Sequence, residues 1–258
     1  MDAQSGTVAS RRAALGTGLA GLATARHADA QTGNPDRRAA APGHVVLLGD
    51  SVLDNKAYAA GGPDVAAQLR EALPGGWRAT LAAVDGAVTG DVRRQLARVP
   101  ADATHLVVSA GGNDALRQEG VLGEGARSVG EALARLAAVR ERFREDYHAM
   151  LDAVVGRGLA TAVCTIYDPR FPDPTRRRLA IAGLALFNDI IARAAFARGL
   201  PLIDLRLVCD EDADFAKAIE PSVQGGGKIA AAIARLVSTH DFAQRRSEVF
   251  TGRPRGGG

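Results

Sequence analysis

Short apolar runs closed by glycine or a polar cluster alternate along this chain with longer stretches in which apolar residues recur every three or four positions. The first run, Val45 to Leu48, ends in Gly49-Asp50-Ser51-Val52-Leu53-Asp54-Asn55, the pattern of a buried strand passing into a turn and helix. After the Gly61-Gly62-Pro63-Asp64 turn, Val65, Leu69 and Leu73 mark one face of a helix that Pro74-Gly75-Gly76 stops. Trp77 to Val84 reads as a second strand, running into Asp85-Gly86-Ala87-Val88-Thr89-Gly90-Asp91. Asp91 then opens a short helix carrying Val92, Leu96 and Val99, which Pro100 ends. His105 to Ala110, apolar after its first residue apart from Ser109, is a third strand leading into Gly111-Gly112-Asn113-Asp114.

From Ser128 to Arg157 the pattern is helical, and its length predicts a break within it. Thr161 to Ile166 gives a fourth strand, followed by a loop with Asp168, Pro169, Pro172 and Pro174 and a helix from Thr175 to Arg198 that Gly199 caps. Leu202 to Leu205 is a short fifth strand; an acidic loop and a final helix, Gln224 to Val237, complete the body. Strands alternating with helices specify a parallel sheet covered on both faces. Right-handed crossovers make that a doubly wound sandwich. The domain spans residues 44–240, with a leader and linker at 1–43 and a tail at 241–258 expected to be disordered.

The chain has 258 residues, 47% of them apolar, enough for one sizeable core. No stretch reads as uniformly apolar over a membrane-spanning length. The net charge of +3 lies in the ends: the body between residues 44 and 240 carries 23 Lys+Arg against 24 Asp+Glu, and aromatics are 4%. That combination argues against a nucleic-acid surface. Cys164 and Cys209 are too few for a disulfide framework and read as buried thiols. Ser10-Arg11-Arg12, the uncharged stretch Ala13 to Ala25 and Ala28-Asp29-Ala30 resemble a twin-arginine export signal, which would place the protein in the periplasm or outside the cell. The other reading is a disordered leader on a cytoplasmic protein.

The three polar clusters after the first three strands meet at one edge of the sheet, where open α/β sheets bind ligands. Ser51 supplies a nucleophile, Gly86 a backbone N–H that can be approached closely, and Asn113 a carboxamide donor. These are the parts needed to attack a carbonyl and hold the oxyanion. On these residues the sequence resembles the SGNH, or GDSL, hydrolase family from about Val45 to Val237. Gly49-Asp50-Ser51 stands at its nucleophile block, Gly86 at its oxyanion glycine, and Gly111-Gly112-Asn113-Asp114 at its Gly-x-Asn-Asp block. Gly90 is a second candidate for the glycine. The resemblance implies a three-layer αβα sandwich, flavodoxin-like, with a five-stranded parallel sheet in the order 2-1-3-4-5. It also implies hydrolysis of a small-molecule ester through an acyl-serine on Ser51, with the Ser51 and Gly86 N–H groups and the Asn113 side chain around the oxyanion. Asp50 and Asp114 become anchors of their loops. No cofactor or metal is implied: no His/Cys/Asp cluster has ligand spacing, and this chemistry needs none.

The family's last block, Asp-x-x-His before the final helix, is replaced here by Lys217-Ala218-Ile219-Glu220-Pro221-Ser222. His44 and His105 begin strands whose other ends carry the site, each roughly 15–20 Å away along the strand, and His240 follows a helix leaving that edge. His148 lies on a helix surface and His27 in the leader. Two readings follow. Glu220 acts as general base, steadied by Lys217 or by Asp210, Asp212 and Asp214, or the fold binds a ligand without turning it over. A phosphate-binding flavodoxin-like protein fits less well, because no glycine falls between Ser51 and Gly61. Gly225-Gly226-Gly227 reads as a tight helix start packed near the serine loop. The loops Tyr167 to Thr175 and Cys209 to Glu220 shape the pocket and leave acyl ester, acetylated sugar and thioester open as substrates.

Overall fold

Val45 and Leu47 on one side of the first strand, and Val46 and Leu48 on the other, are all fully buried, so this strand lies at the centre of a sheet covered on both faces. The computed structural model describes residues 42–252. Its elements are β1 (His44–Gly49), α1 (Val65–Ala72), β2 (Arg78–Leu81), α2 (Thr89–Gln95), β3 (His105–Ser109), α3 (Gly112–Arg117) and α4 (Val129–Val155) in the first part. There follow β4 (Ala160–Cys164), α5 (Pro174–Ala197), β5 (Leu202–Ile203), α6 (Leu205–Val208), α7 (Val223–Thr239) and β6 (Val249–Phe250). All pairings are parallel, in the order β2-β1-β3-β4-β5-β6. Helices α1 and α7 cover Val45, Leu47, Val107 and Ile203 on one face. Helices α2, α4 and α5 cover Val46, Leu48, Leu106, Val108 and Val163 on the other.

The αβα sandwich and the order of its first five strands match the sequence reading; the sixth strand corrects it. The stretch after Asp241, expected to be disordered, turns back to the sheet: the Leu202 N–H donates to the Glu248 carbonyl and the Asp204 N–H to the Phe250 carbonyl, both at 2.8 Å. Two residues are too few for an alternating pattern to reveal a strand. The expected break in the long helix is also absent. Helix α4 runs unbroken for 27 residues, with its only glycine, Gly130, in the first turn. The Ser128 hydroxyl caps it by accepting the Glu131 N–H at 3.1 Å, and Arg127 and Arg135 pair with Glu131. Its buried residues begin at Phe143, so the first half runs alongside the site without entering the core.

Helix α5 is long and apolar enough to cross a membrane by length and composition, a length the sequence reading had not marked out. Here it buries Phe187, Ile190, Ile191, Ala194 and Ala195 in the core. Cys164 and Cys209 are both buried free thiols. The twin-arginine-like leader and most of the linker, residues 1–41, and the last residues, 253–258, lie outside the described residues.

Candidate active site

At the end of β1 the chain turns sharply. Gly49 has φ +128°, and a Cβ there would stand 1.7 Å from the Ser109 carbonyl oxygen of β3, so only glycine fits. Its backbone is held by the buried Gln95 side chain of α2, whose Oε1 accepts the Gly49 N–H at 2.7 Å and whose Nε2 donates to the Gly49 carbonyl at 2.8 Å. The Asp50 N–H donates to Ser109 O at 3.1 Å. The Leu53 and Asp54 N–H groups both return to Asp50 O, at 3.1 and 3.0 Å, closing the turn that presents Ser51. The Asp50 carboxylate accepts the Val52 N–H at 3.1 Å. Neither the Ser51 hydroxyl nor its backbone N–H has a protein partner among the described residues.

The loops after β2 and β3 are bound to each other. Asn113, in the first turn of α3, donates Nδ2 to the Ala87 carbonyl at 3.0 Å, which leaves its second amide hydrogen free. Asp114 accepts both the Thr89 N–H at 3.0 Å and the Thr89 hydroxyl at 2.7 Å, anchoring the loop as the resemblance implies. Gly86 occupies the turn that the Ala87 N–H closes onto Val84 O at 3.1 Å, with φ +76°. Its N–H has no partner among the described residues. Gly90, the other candidate, lies in the first turn of α2, one residue beyond the Thr89 that Asp114 holds.

The segment carrying Glu220 is fastened from three sides. Tyr167 donates its hydroxyl to Ile219 O at 2.5 Å, the Arg170 N–H donates to Ala218 O at 2.7 Å, and Asn55 donates Nδ2 to Pro221 O at 3.1 Å. Within the segment the Ala216 N–H reaches Glu220 O at 2.9 Å. The loop acids expected to steady Glu220 face elsewhere. Asp214 is fully buried against Lys228 at 2.8 Å, Asp210 lies 3.8 Å from Lys228, and Asp212 pairs with Arg170 at 2.9 Å. Lys217 places its ammonium 5.2 Å from the Tyr58 ring centre. Tyr58 in turn donates its hydroxyl to Asp85 at 2.8 Å, and the Asp85 N–H donates to Asp54 at 3.0 Å. Of the three glycines in the first turns of α7, Gly226 packs near the serine block as expected, where a Cβ would lie 3.2 to 3.4 Å from Gln68, Val65 and Asn55, while Gly225 abuts the Asp214 carbonyl and Gly227 the Gln68 side chain.

Three carboxyl groups of these loops, Asp50, Asp114 and Glu220, are shifted upward, each chiefly by burial. Burial raises Asp50 to about 7, opposed by the Val52 N–H and reinforced by the charges of Asp114 and Asp85. Burial also raises Glu220; the Ile219 N–H and Lys217 oppose this and Asp85 adds to it. Among the described residues no histidine shares this region. His44 binds Asp102 and Thr80 at the far end of β1, and His105 packs on Trp77 and Phe242. His148 is on α4, and His240 closes α7 against Glu248 at 2.9 Å. None of these four lines the cavity that contains Ser51 and Asn113, nor do Gly86 and Glu220, although Ile219 beside Glu220 does; His27 lies outside the described residues.

Gln95, Asn55 and the Tyr58–Asp85 pair are site residues that the sequence reading did not single out. Gln95 had a visible signal, a polar side chain between Val92 and Leu96 on the buried face of its helix; Tyr58 and Asp85 had none, because one lies in a single 3₁₀ turn, Lys56–Tyr58, and the other in a loop turn.

A doubly wound parallel sheet with a serine turn after β1, a glycine turn after β2 and a carboxamide after β3 is the architecture of an SGNH-type hydrolase. The sequence profile of the GDSL-like lipase/acylhydrolase family matches residues 47–225, and the chain belongs to that family. Similar solved structures include the extracellular lipase of Streptomyces rimosus, 20% identical with a TM-score of 0.53, covering 78% of this chain and 100% of that one. Phospholipase A1 of Streptomyces albidoflavus NA297 is 19% identical with a TM-score of 0.52, again covering 78% and 100%. A lipase from a goat rumen metagenome is 16% identical with a TM-score of 0.55, covering 73% and 94%. These likenesses establish the fold. No curated protein sequence matches the chain.

Proposed function

We propose that the protein is a serine ester hydrolase that works through an acyl-Ser51, with Glu220 in place of the family's histidine. Glu220 takes the hydroxyl proton as Ser51 Oγ attacks the ester carbonyl. The Ser51 N–H, the Gly86 N–H and the free Asn113 amide hydrogen face the developing oxyanion. The protonated Glu220 then gives its proton to the departing alcohol; water attacks the acyl-serine as Glu220 takes its proton, and the acid leaves with Ser51 restored. The observation that carries this reading is the Asn113–Ala87 bond, which supports the carboxamide donor beside Gly86 while two backbone donors around it stay unpaired. The raised Glu220 carboxyl supports its choice as base, since a carboxylate at its ordinary value accepts a serine proton poorly. The twin-arginine-like leader supports work outside the cytoplasm.

The test is intact-mass labelling with a fluorophosphonate, run beside Ser51→Ala and Glu220→Gln. One adduct is expected on the unaltered protein, none on Ser51→Ala and slowed formation on Glu220→Gln. Absence of an adduct between pH 6 and 9 would replace this reading with a ligand-binding protein of the same fold.

A further inference from the structure

We propose that Gln95 is a positioning residue for the Ser51 nucleophile, its carboxamide fixing the serine turn against the loops that carry the oxyanion donors. This rests on the reading of Ser51 as the acylated nucleophile. Gly49 is the point where three parts of the site meet. Its carbonyl accepts both Gln95 Nε2 at 2.8 Å and the Val84 N–H at 3.0 Å, and Val84 stands two residues before Gly86. Its N–H donates to Gln95 Oε1 at 2.7 Å. Gln95 closes α2, and the first residue of the same helix is Thr89, whose N–H and hydroxyl both go to Asp114. Six residues of helical rise separate the two, about 9 Å. One short element therefore reaches from the loop of Asn113 to the turn of Ser51. Loss of the Gln95 bonds would free that turn from α2 while the two donor loops stay joined through Asn113 and Ala87.

The residue type suits this role better than it suits the packing of the helix. Val92 and Leu96, beside Gln95 on the same face, are apolar and buried. An apolar side chain at position 95 would complete that face without the cost of burying a carboxamide. Gln95 is buried all the same, and both ends of its amide go to one residue. A side chain that accepts the N–H and donates to the carbonyl of Gly49 at once must be a carboxamide or a neutral carboxylic acid, because a carboxylate only accepts. The two states of a carboxyl group at this position therefore make and break the donor bond without any change of shape.

The experiment measures the rate of fluorophosphonate labelling per folded molecule from pH 5 to 9 in the unaltered protein, Gln95→Met and Gln95→Glu, with kcat and KM for p-nitrophenyl acetate alongside. Gln95→Met keeps the length of the side chain and makes neither bond, so labelling and kcat are expected to fall at least tenfold at every pH with KM little changed. Gln95→Glu is expected to label at close to the unaltered rate at pH 5, where the introduced carboxyl is neutral, and at least tenfold more slowly at pH 9, where it is ionised. Dividing by the unaltered rate at each pH removes the titration of Glu220 from this comparison. A residue that only stabilised the fold would lower the melting temperature and leave labelling per folded molecule unchanged; that result, with an adduct still formed on Ser51, overturns the role of Gln95 and keeps the hydrolase reading. Should Gln95→Met fail to fold, Gln95→Glu decides: a rate ratio that falls with pH supports the assignment and a flat ratio overturns it. If the unaltered protein takes no adduct, the hydrolase reading ends and the hold on the turn is read from amide hydrogen exchange. Exchange at least tenfold faster at Asp50, Leu53 and Asp54 in Gln95→Met, with β4 unchanged, keeps Gln95 as the residue that fixes the turn, and unchanged exchange overturns it.

Discussion

Asn55 ties the turn that presents Ser51 to the segment that carries Glu220: its Nδ2 donates to Pro221 O at 3.1 Å and its Oδ1 accepts the Val65 N–H at 2.9 Å, with no exposure to solvent. Asn55→Ala leaves two buried backbone groups unpaired, at about 1–3 kcal/mol each. Urea denaturation is expected to show a loss of that order. Asn55→Asp keeps the acceptor for Val65 but buries a carboxylate against the Pro221 carbonyl, so it is expected to lose at least as much stability and to lower kcat.

Asn113 offers a different test, because its free amide hydrogen matters only when charge develops on the substrate. Asn113→Ala is expected to lower kcat about 10²–10³-fold with little change in KM. An equal rise in KM with kcat preserved would remove Asn113 from the oxyanion site.

Asp50 makes stability depend on pH in the direction opposite to most carboxylates. Its folded value of about 7 lies above the ordinary 3.8, so the folded chain holds the proton more tightly and unfolding releases it between those values. The stabilisation is fully present below about pH 4 and declines as pH rises through 7, by ~4 kcal/mol across the window. Denaturation midpoints measured from pH 4 to 8 are expected to fall with pH in the unaltered protein and to flatten in Asp50→Asn.

Glu220 is raised by the charge of Asp85 and lowered by that of Lys217. With Glu220 as base, activity rises with pH as its proton is lost, so Asp85→Asn should move this acid limb to lower pH and Lys217→Met to higher pH. The measurement is the kcat/KM profile from pH 4 to 8. Parallel shifts, or an acid limb surviving in Glu220→Gln, would point to another base.

The strands that place the site were legible in the sequence because Val45–Leu48 and Leu106–Val108 are buried on both faces and read as unbroken apolar runs. Their ends put Ser51, Gly86 and Asn113 at one edge. The break expected in α4 came from length alone, which does not see that Glu131, Arg135 and the Ser128 cap support a helix half outside the core. The partners of Asp212 and Asp214 were out of reach for a related reason. Arg170 and Lys228 come from distant segments, and no spacing along the chain brings them to that loop. Asn55 stood inside the serine block, but its two bonds lead to residues 10 and 166 positions away.

Phe250 and its neighbour Val249 cover the last row of hydrogen-bonding groups on β5. A chain shortened to end with α7 would leave that row bare, a template for a strand from another copy. The two residues of β6, outside the span that matches the family and far from the serine in sequence, thereby help keep β5 from pairing with a second copy of the sheet.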